Sequence, residues 1–289
     1  MEFYKYQGAG NDFIIIDGRK RGAFLSADEI RALCRRNTGI GADGIIFACH
    51  STTGAEARMR LFNADGSEAE MSGNGIRCLA KYVYERQGIR KERMFLETEA
   101  GAKALELFVR GDSVYAVEVD MGMPEFAIET RGRRDEAGGI NIELEGGEKI
   151  YGICLSMGNP HCVIFVDDVD SAEVDRLGPL IENHDLFPGR TNVGFAQTVD
   201  EARMKLRVWE RGVGETAACG TGASAAFAAA VNTRRGATAM VVSQRGGDLQ
   251  MRVGQAGHIF MKGPVAEVFR GELSGKWRDS VASEGQGRA

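Results

Sequence analysis

Apolar positions along this chain recur mostly at period two, in short runs broken by glycine, and a helical period appears in only four stretches. The first is SADEIRALCRRNTG, where Ser26 and Glu29 form a capping box, Ile30, Leu33 and Cys34 make an apolar stripe, and Gly39 closes the helix. It is expected at the periphery. The second runs from Gly73 to Gln87, with Ile76, Leu79, Ala80 and Val83 on one face and Gly88 beyond its end. Within DVDSAEVDRLGPLIEN a third places Val174, Leu177 and Ile181 inward. The fourth runs from about Gly220 to Arg235 and is almost all small or apolar from Ala223 to Val231, which marks a helix enclosed on every side and central to its domain. Around these, LELFVRGDSVYAVEVD and DLQMRVGQAGHIFMKG read as hairpins with glycine-containing turns. TRGRRDEAGGIN reads as a surface loop just past a domain crossover near Met121 to Pro124. After Leu273 no apolar period remains, so the tail is expected to be mobile.

The chain echoes itself. GAGNDFIIID from Gly8 resembles SMGNPHCVIFVD from Ser156: in both, Gly-Asn precedes an apolar run ending in aspartate, with Asn11 and Asn159 in register. GSEAEMSGNGIRCLA from Gly66 resembles VGETAACGTGASAAF from Val213, with Glu68 and Glu215 each four residues before Ser72 and Cys219. The two matches are offset by 148 and 147 residues, and nearly equal offsets argue for a duplicated domain. Each half reads as short strands around one long helix. A length of 289 residues also suits two domains better than one.

Composition narrows the function classes. A hydrophobic share of 43% and a charged share of 27% are those of an ordinary globular protein with sizeable cores. A net charge of −5 spread over both halves offers no basic face for nucleic acid or anionic lipid, and no run is long and apolar enough to span a bilayer. The start, MEFYKYQGAGNDF, lacks the apolar segment and cleavage site of a secretory signal, so a cytoplasmic location is expected. The six cysteines include no CxxC pair and are expected as free thiols. The four histidines, His50, His161, His184 and His258, are dispersed, so a metal site is not expected. A small polar substrate fits best.

The repeated motif places a small polar or thiol residue just before a Gly-x-Gly turn that opens a helix, Ser72-Gly-Asn-Gly in one half and Cys219-Gly-Thr-Gly in the other. At a helix N-terminus the free N–H groups and the positive dipole end favour an anion and lower a thiol's pKa. Cys219 is therefore expected to be a thiolate or to lose its proton readily. The same N–H groups can hold a substrate carboxylate, glycine letting backbone approach closely. The bland alternative is that both residues are simply N-caps, which an isolated serine usually is; symmetric duplication weighs against it.

With GAGNDF, GIGADG, FNADGSEAEMSGNGIRC, GNPHCVIFVDD, TNVGFAQ and WERGVGETAACGTGASA in order, the chain resembles the diaminopimelate epimerase family up to GPVAEVFRGEL. The resemblance implies an α/β (α+β) fold of two pseudo-symmetric domains, each a small β-barrel-like sheet around a central helix, with the active site in the interdomain cleft. It implies residues 1–120 plus about 264–274 as one domain, 121–263 as the other and 275–289 as a flexible tail. It also implies no cofactor: neither PLP, metal nor nucleotide. In that family a cysteine from each domain flanks the α-carbon, one removing the proton and the other returning one to the opposite face. Cys219 matches one of them, and Ser72 stands where the other belongs. Gly73, Asn74, Gly220 and Thr221 match positions that bind the carboxylate at the reacting centre. Asn11, Asn63, Asn159, Asn192, Glu210 and Arg211 match positions that hold the rest of the substrate, although a lone asparagine is more often a turn residue. His161 and Glu210 match groups assigned to assist the two cysteine positions.

The implied activity is interconversion of LL- and meso-diaminopimelate, an isomerase step of lysine biosynthesis, with the assembly state left open, a homodimer included. Cys78 lies six residues past Ser72, about 9 Å along a helix axis, too far to take over from Ser72. Other classes compatible with the serine are a one-base dehydratase or eliminase of the same architecture and a catalytically silent amino-acid-binding protein. An engineered Cys-to-Ser replacement accounts for the pattern better than natural divergence, because the rest of the motif is retained. GIGADG satisfies GxGxxG but follows a helix and enters an apolar strand, the reverse of a dinucleotide site.

Overall fold

The structure is a computed structural model describing residues 1–20 and 24–278. It divides after Val119 into two compact units: Met1–Val119 joined by the chain from Pro264 onward, and Asp120–Gly263.

Unit 1 opens with β1 (Glu2–Gly8) and β2 (Asn11–Asp17), then α1 (Ala27–Cys34), β3 (Gly44–Cys49), β4 (Ala57–Asn63) and β5 (Glu68–Ala69). Its long helix α2 (Gly73–Glu85) follows, then β6 (Arg93–Thr98), β7 (Gly101–Arg110) and β8 (Ser113–Gly122), which runs across the division. Unit 2 contains β9 (Gly139–Glu143), β10 (Lys149–Ser156), β11 (Pro160–Phe165), α3 (Val174–Glu182), β12 (Asn192–Asp200), β13 (Arg203–Glu210) and β14 (Gly214–Thr216). It continues with its own long helix α4 (Gly220–Asn232), β15 (Ala239–Gln244), β16 (Gly247–Val253) and β17 (Ile259–Pro264). The chain then returns to unit 1 as β18 (Ala266–Glu272).

Strand pairing carries the duplication. In unit 1, β1–β2 is antiparallel, β2–β3 parallel, β3–β4 and β4–β5 antiparallel, β4–β6 parallel and β6–β7–β8 antiparallel. Unit 2 repeats that series from β10 to β17 without a change of sense. Even the flanking strand is matched, β18 pairing antiparallel to β1 and β9 to β10. Identical order and sense through seven pairings would not arise from convergent packing of unrelated halves.

Each sheet is rolled around its long helix. α2 touches β1, β2, β3, β4, β6, β7 and β18, and every residue from Gly73 to Tyr84 is buried. α4 touches β10, β11, β12, β13, β15 and β16. Its interior is mostly alanine with one large side chain, Phe227, so strands approach on all sides while helix propensity stays high. The peripheral helices cover the outer faces: Ile30, Leu33 and Cys34 of α1 pack on Ile14, Ile16, Ile45 and Phe47, and Val174 and Ile181 of α3 on Ile164, Val193 and Phe195.

Two local expectations shift. α1 carries the Ser26–Glu29 capping box but ends at Cys34 rather than at Gly39, whose N–H closes a further turn on the Arg35 carbonyl. The segment expected to be mobile beyond Leu273 begins anchored: Trp277 packs against the unit 1 core and Arg278 Nε lies 2.8 Å from Glu29. Residues 279–289, the rest of that segment, fall outside the described residues.

Candidate active site

Each long helix starts the same way. Ser72 is the N-cap of α2 at φ −136°, ψ 124°, and its Oγ accepts the Gly75 N–H at 3.1 Å. Cys219 is the N-cap of α4 at φ −129°, ψ 114°, and its Sγ accepts the Gly222 N–H at 3.3 Å. The second glycine of each Gly-x-Gly has a packing reason. A Cβ on Gly75 would lie 3.1 Å from Ile46 and 3.2 Å from Ser72, and one on Gly222 would lie 3.0 Å from Val208 and 3.3 Å from the Cys219 sulfur. Either would push the cap away from its own helix. At both starts the N-cap side chain is thus held by a bond from its own helix.

In unit 1 a polar chain starts from the residue two positions after the cap. Asn74, buried on the first turn of α2, donates through Nδ2 to Asn11 Oδ1 at 3.4 Å and accepts from Arg77 Nη2 at 2.9 Å. Asn11 in turn donates to Asp43 Oδ2 at 2.6 Å, an oxygen that also accepts the Asp12 N–H at 3.0 Å. Arg36 bridges Asp12 and Asp43, and Lys5 pairs with Asp12. Ser72, Gly73, Asn74 and Asn11 therefore form one group. Asn63 has a different local role: it ends β4, is exposed, and its amide donates to Ser67 Oγ at 3.0 Å in the turn that leads to β5.

In unit 2 the parallel register of β11 and β12 sets His161 beside Asn192. Asn192 donates to the Pro160 carbonyl at 2.8 Å and accepts the Arg211 N–H at 3.0 Å, so it ties β11 to the turn after β13. Glu210 accepts from Thr216 Oγ1 at 2.5 Å. Arg211 is exposed and donates to the Gly189 carbonyl at 2.9 Å. Thr221 lies with its hydroxyl 3.5 Å from Cys219 Sγ. Asn159, His161, Asn192, Glu210, Arg211, Cys219, Gly220 and Thr221 form a second group.

The electrostatics correct one expectation. Burial pushes the Cys219 thiol up, and Glu210 adds to the effect, outweighing the Thr221 hydroxyl and the Gly222 N–H that favour the thiolate. The helix end supplies only about 0.3–2 kcal/mol, whereas full burial can move a pKa by about 3–5 units. Cys219 thus rests as a protonated thiol. His161 is fully buried, and burial with the nearby Arg211 charge pulls its pKa down to about 3, so it is neutral at physiological pH. With the Asn159 amide oxygen accepting at 2.9 Å, the ring proton sits on Nε2. Cys78 has no exposed surface and burial pushes its thiol up to about 12.

Several residues in the site's framework carry no sequence signal that marks them. Glu182, at the end of α3, accepts from Trp209 Nε1 at 2.8 Å, the Gly212 N–H at 2.9 Å and Arg190 at 3.0 Å, and so holds the turn bearing Glu210 and Arg211. Gln244 accepts the Cys219 N–H at 2.8 Å. Asp43 lies within GIGADG, a segment that leads from α1 into β3 and serves the Asn11 network. Among the described residues no cluster could hold a metal ion, and no helix is long and apolar enough to cross a membrane.

The sequence model of the diaminopimelate epimerase family matches residues 3–127 and 153–268. The chain is 45% identical over 278 residues to the diaminopimelate epimerase of Moorella thermoacetica, covering 94% of this chain and 99% of that one. It is 43% identical over 278 residues to that of a Synechocystis species, covering 94% and 98%. Among solved structures, a probable proline racemase from Agrobacterium radiobacter superposes with a TM-score of 0.72 at 14% identity, covering 97% of this chain and 95% of that one. A predicted epimerase from Pseudomonas aeruginosa gives 0.67 at 19%, covering 94% and 98%. These structures share the fold, while the sequence matches, which run across both units and through both helix starts, show that the chain belongs to the diaminopimelate epimerase family.

Proposed function

We propose that this chain interconverts LL- and meso-diaminopimelate without a cofactor, one α-carbon being served by the N-cap groups of both long helices, and that Ser72 leaves the step impaired. The observation that carries this reading is the equivalence of the two caps: the same position on topologically matched helices, with matched dihedral angles and the same bond to the third helical residue. The backbone N–H groups of Gly73, Asn74, Gly220 and Thr221 would receive the carboxylate at the reacting centre, where helix ends favour an anion. Asn11, Asn63, Asn159, Asn192, Glu210 and Arg211 would hold the remainder of the substrate. Glu210 and His161 would assist proton movement, His161 as a neutral imidazole.

Serine at position 72 changes the acid–base balance. A hydroxyl has a far higher pKa than a thiol, and helix-end effects of about 0.3–2 kcal/mol do not close the gap. With Cys219 resting as a thiol and an alcohol opposite it in the scheme, interconversion falls by about 10²–10⁴-fold, the usual worth of one positioned acid or base. Binding is retained, because backbone groups hold the carboxylate.

The test is α-proton exchange in deuterated water with each diaminopimelate isomer separately. Exchange should be confined to the isomer whose α-hydrogen faces Cys219, and Ser72→Cys should restore rapid interconversion with little change in affinity. A Ser72→Cys protein no faster than its parent overturns the two-thiol scheme. Elimination from a substrate with a β-leaving group would then establish the one-base reading, and tight binding without exchange the binding-protein reading. Homodimerisation, cytoplasmic location and an engineered origin for Ser72 belong to this proposal; light scattering tests the first and the native codon 72 the last.

A further inference from the structure

Arg77 has no exposed surface, a costly place for a guanidinium. It sits one turn into α2, with Nη1 on the Gly73 carbonyl at 3.2 Å and Nη2 on the Asn74 amide oxygen at 2.9 Å. It also lies against β1, where a Cβ on Gly8 would come within 3.3 Å of Nη2. The topologically equivalent residue of α4 is Ser224, whose hydroxyl makes the matching bond to the Gly220 carbonyl at 2.9 Å. The two helix starts share backbone form and differ in charge: a buried cation underlies the first turn of α2, and a neutral hydroxyl underlies that of α4. Burial lowers the Arg77 pKa to about 10, which leaves it charged at neutral pH.

The surroundings do not obscure this difference. Toward the α2 start, β1 brings Lys5, β2 brings Asp12, and the segment between α1 and β3 brings Arg36 and Asp43; these two cations and two anions pair with one another. From the strands after β3, Arg60 and Glu68 pair at 2.8 Å, and further along α2 Lys81 pairs with Glu85 at 2.7 Å. On the other side of the duplication, the carboxylate of Glu210 acts on Cys219 in the opposite sense.

We propose that Arg77 is a positioning residue that makes the α2 start the stronger anion-holding half-site: its fork fixes the Asn74 side chain and the Gly73 peptide, and its charge supplements the helix end. For a substrate carboxylate the inference rests on the function proposed above. Its physical core does not, since it concerns any anion formed at the N-cap.

A thiol placed at that cap reports on it. In a protein carrying Ser72→Cys and Cys219→Ser together, the rate at which iodoacetamide alkylates the thiol introduced at position 72 is followed against pH, with the modified peptide identified by mass spectrometry. Adding Arg77→Gln, which keeps a donor for the Gly73 carbonyl and removes the charge, should slow alkylation at pH 7 by roughly tenfold, the lower end of what a neighbouring opposite charge does to a titrating group. Adding Arg77→Lys, which keeps the charge but not the fork, should slow it by roughly threefold. Ser224→Ala should leave it unchanged. Equal rates for a folded Arg77→Gln protein and its parent overturn the proposal. If the glutamine protein does not fold, the lysine protein decides, and a rate equal to the parent's overturns it. Because no diaminopimelate is present, a failure here leaves the epimerase reading intact, and a failure to bind diaminopimelate leaves this one intact.

Discussion

Replacing Glu182 with alanine should loosen the turn that carries Glu210 and Arg211, by an amount that can be worked out bond by bond. Glu182 is 4% exposed, and its carboxylate accepts three donors: Trp209 Nε1, the Gly212 N–H and Arg190 Nη1. The Arg190 side chain is 53% exposed and rehydrates when its partner goes, so that pair contributes only about 0–1 kcal/mol. Trp209 and Gly212 each lose a charged acceptor, worth about 1–3 kcal/mol when no other partner replaces it. The total is about 2–7 kcal/mol, with the lower half favoured because Gly212 is exposed and water can reach its N–H. Glu182→Gln keeps one acceptor oxygen and turns the other into a donor aimed at a donor, which costs about 1–3 kcal/mol.

Hydrogen exchange of the peptide spanning residues 209–214 is the suitable assay, because local opening is read directly and two units need not unfold as one. At 1.4 kcal/mol per decade, Glu182→Ala should accelerate exchange there by about 30-fold or more. Strands β15 and β16 should change little. Uniform acceleration throughout unit 2, or none in this turn, refutes the reasoning: the first would make Glu182 a general core residue, the second would mean that Asn192 alone suffices to hold the turn.

Three further outcomes are expected. Arg211→Ala should weaken diaminopimelate binding while leaving the Arg211 N–H bond to Asn192 intact, since that bond is made by backbone, and unchanged affinity in calorimetry would remove the Arg211 guanidinium from the site. Cys219→Ala should abolish α-proton exchange, and in the parent the alkylation of Cys219 should rise only well above the ordinary thiol range; Glu210→Gln should move that rise to lower pH, and a curve unmoved by it would contradict the role given to Glu210. The Thr52 hydroxyl, then those of Ser51 and Thr53 with the Thr52 N–H, hold the Glu97 carboxyl at about 2. A folded pKa below the unfolded one means stability present above about 4.3 and lost as pH falls toward 2, so denaturant unfolding should show a Glu97→Gln deficit at pH 6 that shrinks at pH 3.

Much of the architecture was legible because it is local or repeated. Helix starts announce themselves in a few residues, as the Ser26–Glu29 box and the two Gly-x-Gly turns do, and a duplicated chain prints its symmetry as a constant offset. Asn11 and Asn74 could be singled out together by resemblance, and they meet at the α2 start. What stayed hidden depends on partners far apart in the chain. GIGADG gives no hint that Asp43 will meet Asn11, nor LGPLIEN that Glu182 will meet Trp209, because parallel pairing of β2 with β3 in the first case and packing of α3 against β13 in the second bring those residues together only after folding. The Cys219 thiol illustrates the same limit: its place at a helix start is written in the sequence, but its protonation is decided by burial and by Glu210, which tertiary packing supplies and which outweigh the local helix end.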